Sequence, residues 1–255
     1  MSDTRLDPDF TAALRSLVAP ALFAAIALAI LLSLGFWQVQ RLQWKDALLA
    51  QISARIDAAP VPLPPRAQWA ALAQPQFEYT RVSVNGEFDH ARELLIFRAA
   101  GAGLPEPGFH VVTPLRIAGT SGEAYVLVNR GFVPDRLKAP SARSAGQVQG
   151  MVTITGHVRG QEQRSVFTPA DTPGKGVWYT RDVEAMRAYL KLENAAPFAI
   201  DADAPENPGG WPKPGAARLR IPNNHLSYAV TWFGIAATLI GVFGVFAWRR
   251  LRRGP

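Results

Sequence analysis

The chain has 255 residues, with 27 Lys and Arg against 20 Asp and Glu, and it contains no cysteine. The absence of cysteine excludes disulfides and thiolate metal sites, and three methionines are too few for a Met-rich copper tract, so a copper chaperone is disfavoured. The net charge of +7 does not indicate nucleic-acid binding, because residues 38–227 hold 21 basic against 17 acidic side chains without a dense basic face.

Two runs without charged residues bracket the chain, at Val18–Phe36 and Ala229–Ala247. About 20 apolar residues at a rise of about 1.5 Å cross a hydrocarbon core of about 30 Å, so each run predicts a transmembrane helix. The first run is longer than the apolar part of a signal peptide, which predicts an uncleaved anchor. The predicted organisation is a tail at 1–17, a span at 18–37, a β-rich domain at 38–227, a span at 228–248 and a basic tail at 249–255.

Four arginines follow the second span, namely Arg249, Arg250, Arg252 and Arg253. Under the positive-inside rule this cluster stays in the cytoplasm, and two spans then return the N-terminus to the same side. The domain at 38–227 is predicted to lie on the opposite face. Because no Arg-rich and Ser-rich transit peptide precedes the first span, we expect a bacterial inner membrane with a periplasmic domain, rather than a mitochondrial location.

The helical pattern continues beyond the first span. Trp37, Arg41, Trp44 and Leu48 recur at spacings of three and four, which predicts that the first helix extends to about Ala58. The prolines at 60–65 should end it, because proline lacks the amide donor and clashes with the preceding turn. A short helix at 66–72 is predicted to follow.

The pattern then changes to the period of a β-strand. Strands are predicted around 82–88 and at 93–98, 109–117, 125–133, 152–158 and 198–201, with one helix from Asp182 to about Leu192 and an irregular return at 205–222. Closely spaced strands with a single intervening helix favour an antiparallel sheet over a doubly wound α/β fold. The predicted class is therefore membrane α+β: two transmembrane helices flanking a mostly antiparallel β domain, a partly closed barrel being one form of it, with one or two short helices.

Motifs of enzymes are missing. Gly174-Lys175-Gly176 lacks the preceding glycine and the following Ser or Thr of a phosphate loop. Neither a Gly-x-Ser-x-Gly elbow nor a His-Glu-x-x-His pair occurs, and no nucleophile–base pair is visible. We therefore expect a protein that is not an enzyme.

Three histidines fall within the β domain. His110 and His157 are out of phase with their apolar neighbours, which predicts two solvated side chains on polar strand faces. His90 follows Asp89 at a strand end, where a turn is the ordinary explanation and an Asp–His pair that orients a base is the alternative.

His225 stands about one helical turn before the second apolar run. It is either an interfacial polar residue that anchors the helix with Tyr228 and Trp232, or an axial ligand of haem iron flanked by aromatic rings. Arg41 and Lys45, just outside the first span, either extend to the membrane surface or pair with an acidic group such as a haem propionate.

Small residues four apart in the second span, Gly234 with Thr238 and Ala237 with Gly241, permit close helix contact. Packing of one span on the other through these residues is the economical prediction.

Six blocks of the chain resemble the surfeit-locus-one family of cytochrome c oxidase assembly factors. In chain order they are Gly35, Trp37, Gln38, Arg41, Trp44 and Lys45; Gly86–His90 with Glu93 and Leu94; Gly108 with His110–Pro114; Val128–Pro134; Trp178, Tyr179, Arg181, Asp182 and Met186; and Asn223, His225, Leu226, Tyr228, Thr231 and Trp232.

The resemblance implies a factor that is needed for maturation of the oxidase and is not catalytic. It also implies that haem a is bound at the outer membrane edge, with His225 as the iron ligand and Arg41 and Trp232 beside it. The implied partners are subunit I of cytochrome c oxidase, haem a synthase and membrane lipid, with no nucleic acid. The alternative is a scaffold that stabilises an assembly intermediate without binding haem.

Overall fold

The computed structural model describes residues 8–101, 104–118, 123–214 and 223–253. It divides into two compact units, one made of Met1–Ala50 with Ile221–Pro255 and the other of Gln51–Arg220.

Two long helices dominate the first unit: α1 at Pro8–Ile56 and, at the other end of the chain, α4 at His225–Arg253. Both are long and apolar enough to cross a bilayer, and only 6% and 11% of their most apolar windows are buried by protein. Their apolar surfaces are therefore not those of a core helix in a soluble protein, and lipid is the solvent that suits them. The predicted continuation of the first helix beyond its apolar run is confirmed, and the helix ends at Ile56.

The second unit holds eight strands and two short helices. In chain order these are β1 Val61–Pro62, α2 Trp69–Leu72, β2 Arg81–Phe88, β3 Leu94–Arg98, β4 Gly108–Ile117, β5 Tyr125–Pro134, β6 Met151–Arg159, β7 Val177–Trp178, α3 Val183–Tyr189 and β8 Ala195–Ala204. All six predicted strands are confirmed, whereas β1 and β7 were not predicted because two residues are too short to show periodicity. The irregular return is confirmed over 205–214, and its remainder at 215–222 lies outside the described residues.

Five strands form a closed barrel. The strand order runs β2, β6, β8, β5 and β4, and β4 pairs back onto β2. All of these pairings are antiparallel except β5 with β8, so the predicted antiparallel character is confirmed. A β-carbon at Gly86 would lie 2.4 Å from the carbonyl oxygen of Arg116, so glycine is needed where β2 and β4 close the barrel.

Two apolar clusters stabilise this unit. The first fills the barrel with inward side chains that include Val82, Leu115, Val128, Phe198 and Ile200. The second lies outside, where β3, β4 and β5 pack against α3. Asp182 caps α3 by accepting a hydrogen bond from the Ala185 amide at 2.9 Å, as predicted. Because β4 and β5 are covered on both faces, they are buried along almost their whole length.

Candidate functional site

His225 is the first residue of α4, and a side chain of α1 holds its ring. Its Nδ1 lies 2.7 Å from Oε1 of Gln38. Two residues earlier, Asn223 Nδ2 donates to Oδ1 of Asp46 at 2.7 Å, so two side-chain hydrogen bonds join the same pair of chain segments. The end of α4 is thereby fixed beside the part of α1 that follows its apolar run.

The ring geometry fits the binding of a metal ion by imidazole. An amide oxygen only accepts hydrogen bonds, so Nδ1 of His225 is the donor and carries the proton. In a neutral ring the lone pair is then on Nε2, the nitrogen that faces away from Gln38. The side chain is half-buried rather than enclosed, so a large apolar ligand can approach it. These features fit the haem iron that the sequence predicts for this position.

The other two predicted cofactor contacts lie near this histidine without contacting it. Arg41 is exposed one turn beyond Gln38 on α1, and its guanidinium lies 4.0 Å from the ring centroid of Trp44. Trp232 is half-buried on α4, two turns beyond His225, which is about 10 Å along the helix axis. Both positions remain predictions as haem contacts.

Close contact between the two long helices is made by α1 rather than by the small residues predicted in α4. A β-carbon added at Gly35 would lie 2.6 Å from the Phe233 ring, and Phe36 packs edge-on against the same ring at 5.4 Å between centroids. Added β-carbons at Gly234 and Gly241 would meet no atom within 4 Å. The prediction that the spacing around these two glycines packs one span on the other is therefore wrong, because these glycines face away from the described partner helix.

A network of charged side chains covers the outer face of the barrel in the second unit. Asp201 accepts hydrogen bonds from Arg159 at 2.9 Å and from Asn129 at 2.9 Å, and Arg181 lies 3.7 Å away. Burial alone would raise the pKa of Asp201, but the charges of Arg181 and Arg159 hold it below its ordinary value. The carboxylate is thus kept ionised as the centre of a structural ion cluster.

His110 belongs to this network, contrary to the prediction of a solvated side chain. It is only 5% exposed, and its Nδ1 accepts a hydrogen bond from Arg98 Nε at 3.3 Å. Burial, reinforced by the charge of Arg98, lowers its pKa to about 4. The prediction is wrong because strand phase identifies the face of a strand and not what covers that face: here Arg98, which also pairs with Glu162 at 2.8 Å, lies over the ring.

The other two histidines of the unit also have defined partners. His157 lies on the polar face as predicted, but its side chain is only 15% exposed and its Nε2 lies 3.1 Å from the carbonyl oxygen of Ile56. The prediction that it is solvated is wrong because the end of α1 covers that face. His90 sits in a short turn, as predicted. Its Nε2 contacts the Val148 carbonyl, and Asp89 pairs with Arg92 instead of with the imidazole.

A polar cavity of about 980 Å³ adjoins the network, and sequence reasoning missed it. Its lining includes Tyr79, His110, Asn129, His157, Arg159 and Asp201. These residues come from β2-flanking chain, β4, β5, β6 and β8, so no local sequence signal could have found them as a group. Among the described residues, no group of three or more His, Asp or Glu side chains is arranged to hold a metal ion.

The chain is similar to known proteins over most of its length. A family model described as the SURF1 family matches residues 25–237. Mouse Surfeit locus protein 1 is 40% identical over 216 residues, which cover 80% of this chain and 68% of the mouse protein. A SURF1-like protein of Monosiga brevicollis is 40% identical over 229 residues, covering 86% and 82%, and human Surfeit locus protein 1 is 38% identical over 217 residues, covering 80% and 69%.

Proposed function

This chain belongs to the SURF1 family, and from that premise we propose that it assists assembly of cytochrome c oxidase as a membrane-anchored factor without enzymatic activity. Two helices of membrane-spanning length support the anchoring. The absence of an enzyme motif from the sequence is consistent with a role in binding and positioning rather than in bond making.

The specific role is to hold haem a at His225 and to aid its insertion into the oxidase. The observation that carries this proposal is the orientation of the ring: Nδ1 is engaged by Gln38 at 2.7 Å, and Nε2 is left with a lone pair. A half-buried imidazole beside exposed aromatic side chains such as Trp37 and Trp44 suits a ligand that is flat and apolar.

The chain's own residues would share the task of binding. His225 Nε2 would be the axial ligand, Arg41 would pair with a propionate, and Trp232 would provide apolar surface. Haem a would supply its iron as the acceptor of the imidazole lone pair. The recipient is subunit I of cytochrome c oxidase, haem a synthase is the donor, and the membrane is the inner membrane of a bacterium with the β domain in the periplasm.

The visible spectrum of the purified protein tests haem binding. Full-length protein is purified from cells that make haem a, in parallel with the His225→Ala and Asn223→Ala variants. We expect wild-type protein to contain haem a and the His225→Ala variant to lose at least nine-tenths of it. Asn223→Ala is the matched control, because it removes the neighbouring hydrogen bond to Asp46 but keeps the imidazole.

Oxidase yield in a deletion strain separates this role from the scaffold alternative. Loss of both haem and oxidase activity in the His225→Ala variant supports haem delivery. Haem-free wild-type protein that still restores the oxidase would instead establish a scaffold that stabilises an assembly intermediate.

A further inference from the structure

Gln38 occupies an unusual position for a polar residue of a long apolar helix. It is 8% exposed, and it is the only buried polar side chain in the parts of α1 and α4 whose burial the structure describes. Burial of an amide is costly unless the group is hydrogen-bonded, and the partner here is His225 Nδ1 at 2.7 Å. Interhelical packing alone would be served better by an apolar side chain of the same size.

The chemistry of this bond determines which nitrogen is available. A neutral imidazole has one donor and one acceptor nitrogen, and the tautomer is set by the bond that one of them makes. Because the amide oxygen of Gln38 can only accept, it selects the ring in which Nδ1 carries the proton. Resting on the haem-binding function proposed above, we propose that Gln38 is the positioning residue that fixes the tautomer and the orientation of His225, so that Nε2 is presented to iron.

A neutral acceptor has a further consequence for the strength of the iron bond. A carboxylate at the same place would withdraw the Nδ1 proton more strongly, because charge-assisted hydrogen bonds are about twice as strong as neutral ones. The ring would then donate more electron density to iron and bind it more tightly. The carboxylate nearest in sequence on this helix, Asp46, is instead engaged by Asn223. A neutral amide therefore makes His225 an oriented but moderate ligand, as a protein that passes its cargo on requires.

Two substitutions at Gln38 test this role in the full-length protein purified with haem a. Gln38→Met keeps the length of the side chain and removes the acceptor, and we expect haem affinity to fall about 10–100-fold. Gln38→Glu supplies a charged acceptor, and we expect it to keep haem, to lower the midpoint potential of the iron and to slow transfer to apo-oxidase. Asn223→Ala is again the control, with affinity and potential expected within twofold and within error of wild type.

The measurements distinguish failure of this inference from failure of the proposed function. If the His225→Ala variant loses haem but both Gln38 variants keep wild-type affinity and potential, Gln38 is not a positioning residue and the haem role stands. If the His225→Ala variant keeps its haem, the proposed function itself is wrong. Should Gln38→Met not yield folded protein, the midpoint potential of Gln38→Glu decides, and an unchanged value overturns the inference.

Discussion

Single residues in the second unit show that several parts of the family pattern serve the fold. Arg130 is 1% exposed and donates to the Gly146 carbonyl and to Oδ1 of Asn207, the latter at 2.8 Å. Its neighbour Asn129 donates to Asp201 and accepts from the Gly131 amide at 3.1 Å. Both side chains are therefore internal braces and not a contact surface for a partner.

A buried ion pair acts in the same way. Glu93 and Arg143 pair with side chains that are 6% and 1% exposed, and Arg143 Nε also donates to the Leu137 carbonyl at 3.0 Å. Removing one partner of such a pair leaves an uncompensated buried charge, which typically costs about 3–5 kcal/mol. The loop between β5 and β6 is thus fixed by charge as well as by packing.

The buried His110 predicts a specific dependence of stability on pH. Its pKa is about 4 in the native protein against 6.5 for an ordinary histidine, so between these values the unfolded chain binds a proton that the native protein does not. Stability should therefore decrease as the pH falls through this window, by up to about 3 kcal/mol from this residue. The His110→Gln variant should lose that part of the slope.

Chemical unfolding of wild type and variant at several pH values from 7 to 4.5 measures the effect. The vertical offset at pH 7 reports lost contacts, and only the difference in slope reports the proton. Parallel curves for the two proteins would contradict the assignment of His110 as a neutral buried group.

At the scale of elements, the contact between α1 and α4 rests on one glycine and one aromatic ring. Gly35 lies one turn before Gln38, and Phe233 lies on α4 two turns beyond His225, so the ring packs where α1 has no side chain. The close approach that glycine allows keeps the two helices near enough for the bond between Gln38 and His225.

The Gly35→Val variant should separate the two helices. An added β-carbon would lie 2.6 Å from the Phe233 ring, which forces either the ring or the helix to move. Overpacking of this kind typically costs about 1–3 kcal/mol. We expect a lower thermal midpoint in detergent and a loss of bound haem, measured on the same preparation.

Gly244→Val is the matched control in α4, because a β-carbon at that glycine meets no atom within 4 Å. It should leave the thermal midpoint and the haem content close to wild type. Equal effects of the two substitutions would show that the Gly35 contact does not hold the pair together.

At the scale of the whole molecule, the distribution of charge predicts the orientation in the membrane. Four arginines follow the apolar part of α4, and such clusters remain in the cytoplasm. The unit made of Gln51–Arg220 is expected on the other side, since long domains translocate largely regardless of their own charge.

Two reporter fusions test this orientation. A reporter that is active only in the cytoplasm should be active when it follows Pro255. A reporter that is active only after export should be active when inserted between Phe167 and Thr168, a loop where Val166 and Phe167 are 93% and 91% exposed and insertion is tolerated. The opposite pattern at either site would exclude the proposed topology and, with it, a haem site at the outer edge.

The sequence by itself determined the two spans, the strands and the place of His225. A span requires only apolar side chains over a sufficient length, and a strand only an alternation of side chains, so both are local properties that periodicity reports. The position of His225 before the second apolar run is likewise visible in one segment of the chain.

Only the tertiary structure decided closure of the barrel, burial of His110 and the pairing of Gln38 with His225. Closure depends on β4 meeting β2 at Gly86, and His110 is buried because Arg98 crosses its face. Gln38 and His225 are 187 residues apart. Contacts of this kind are set by how separate elements pack, which no local period encodes, and for that reason the amide that orients the ring became visible only once the two helices were placed together.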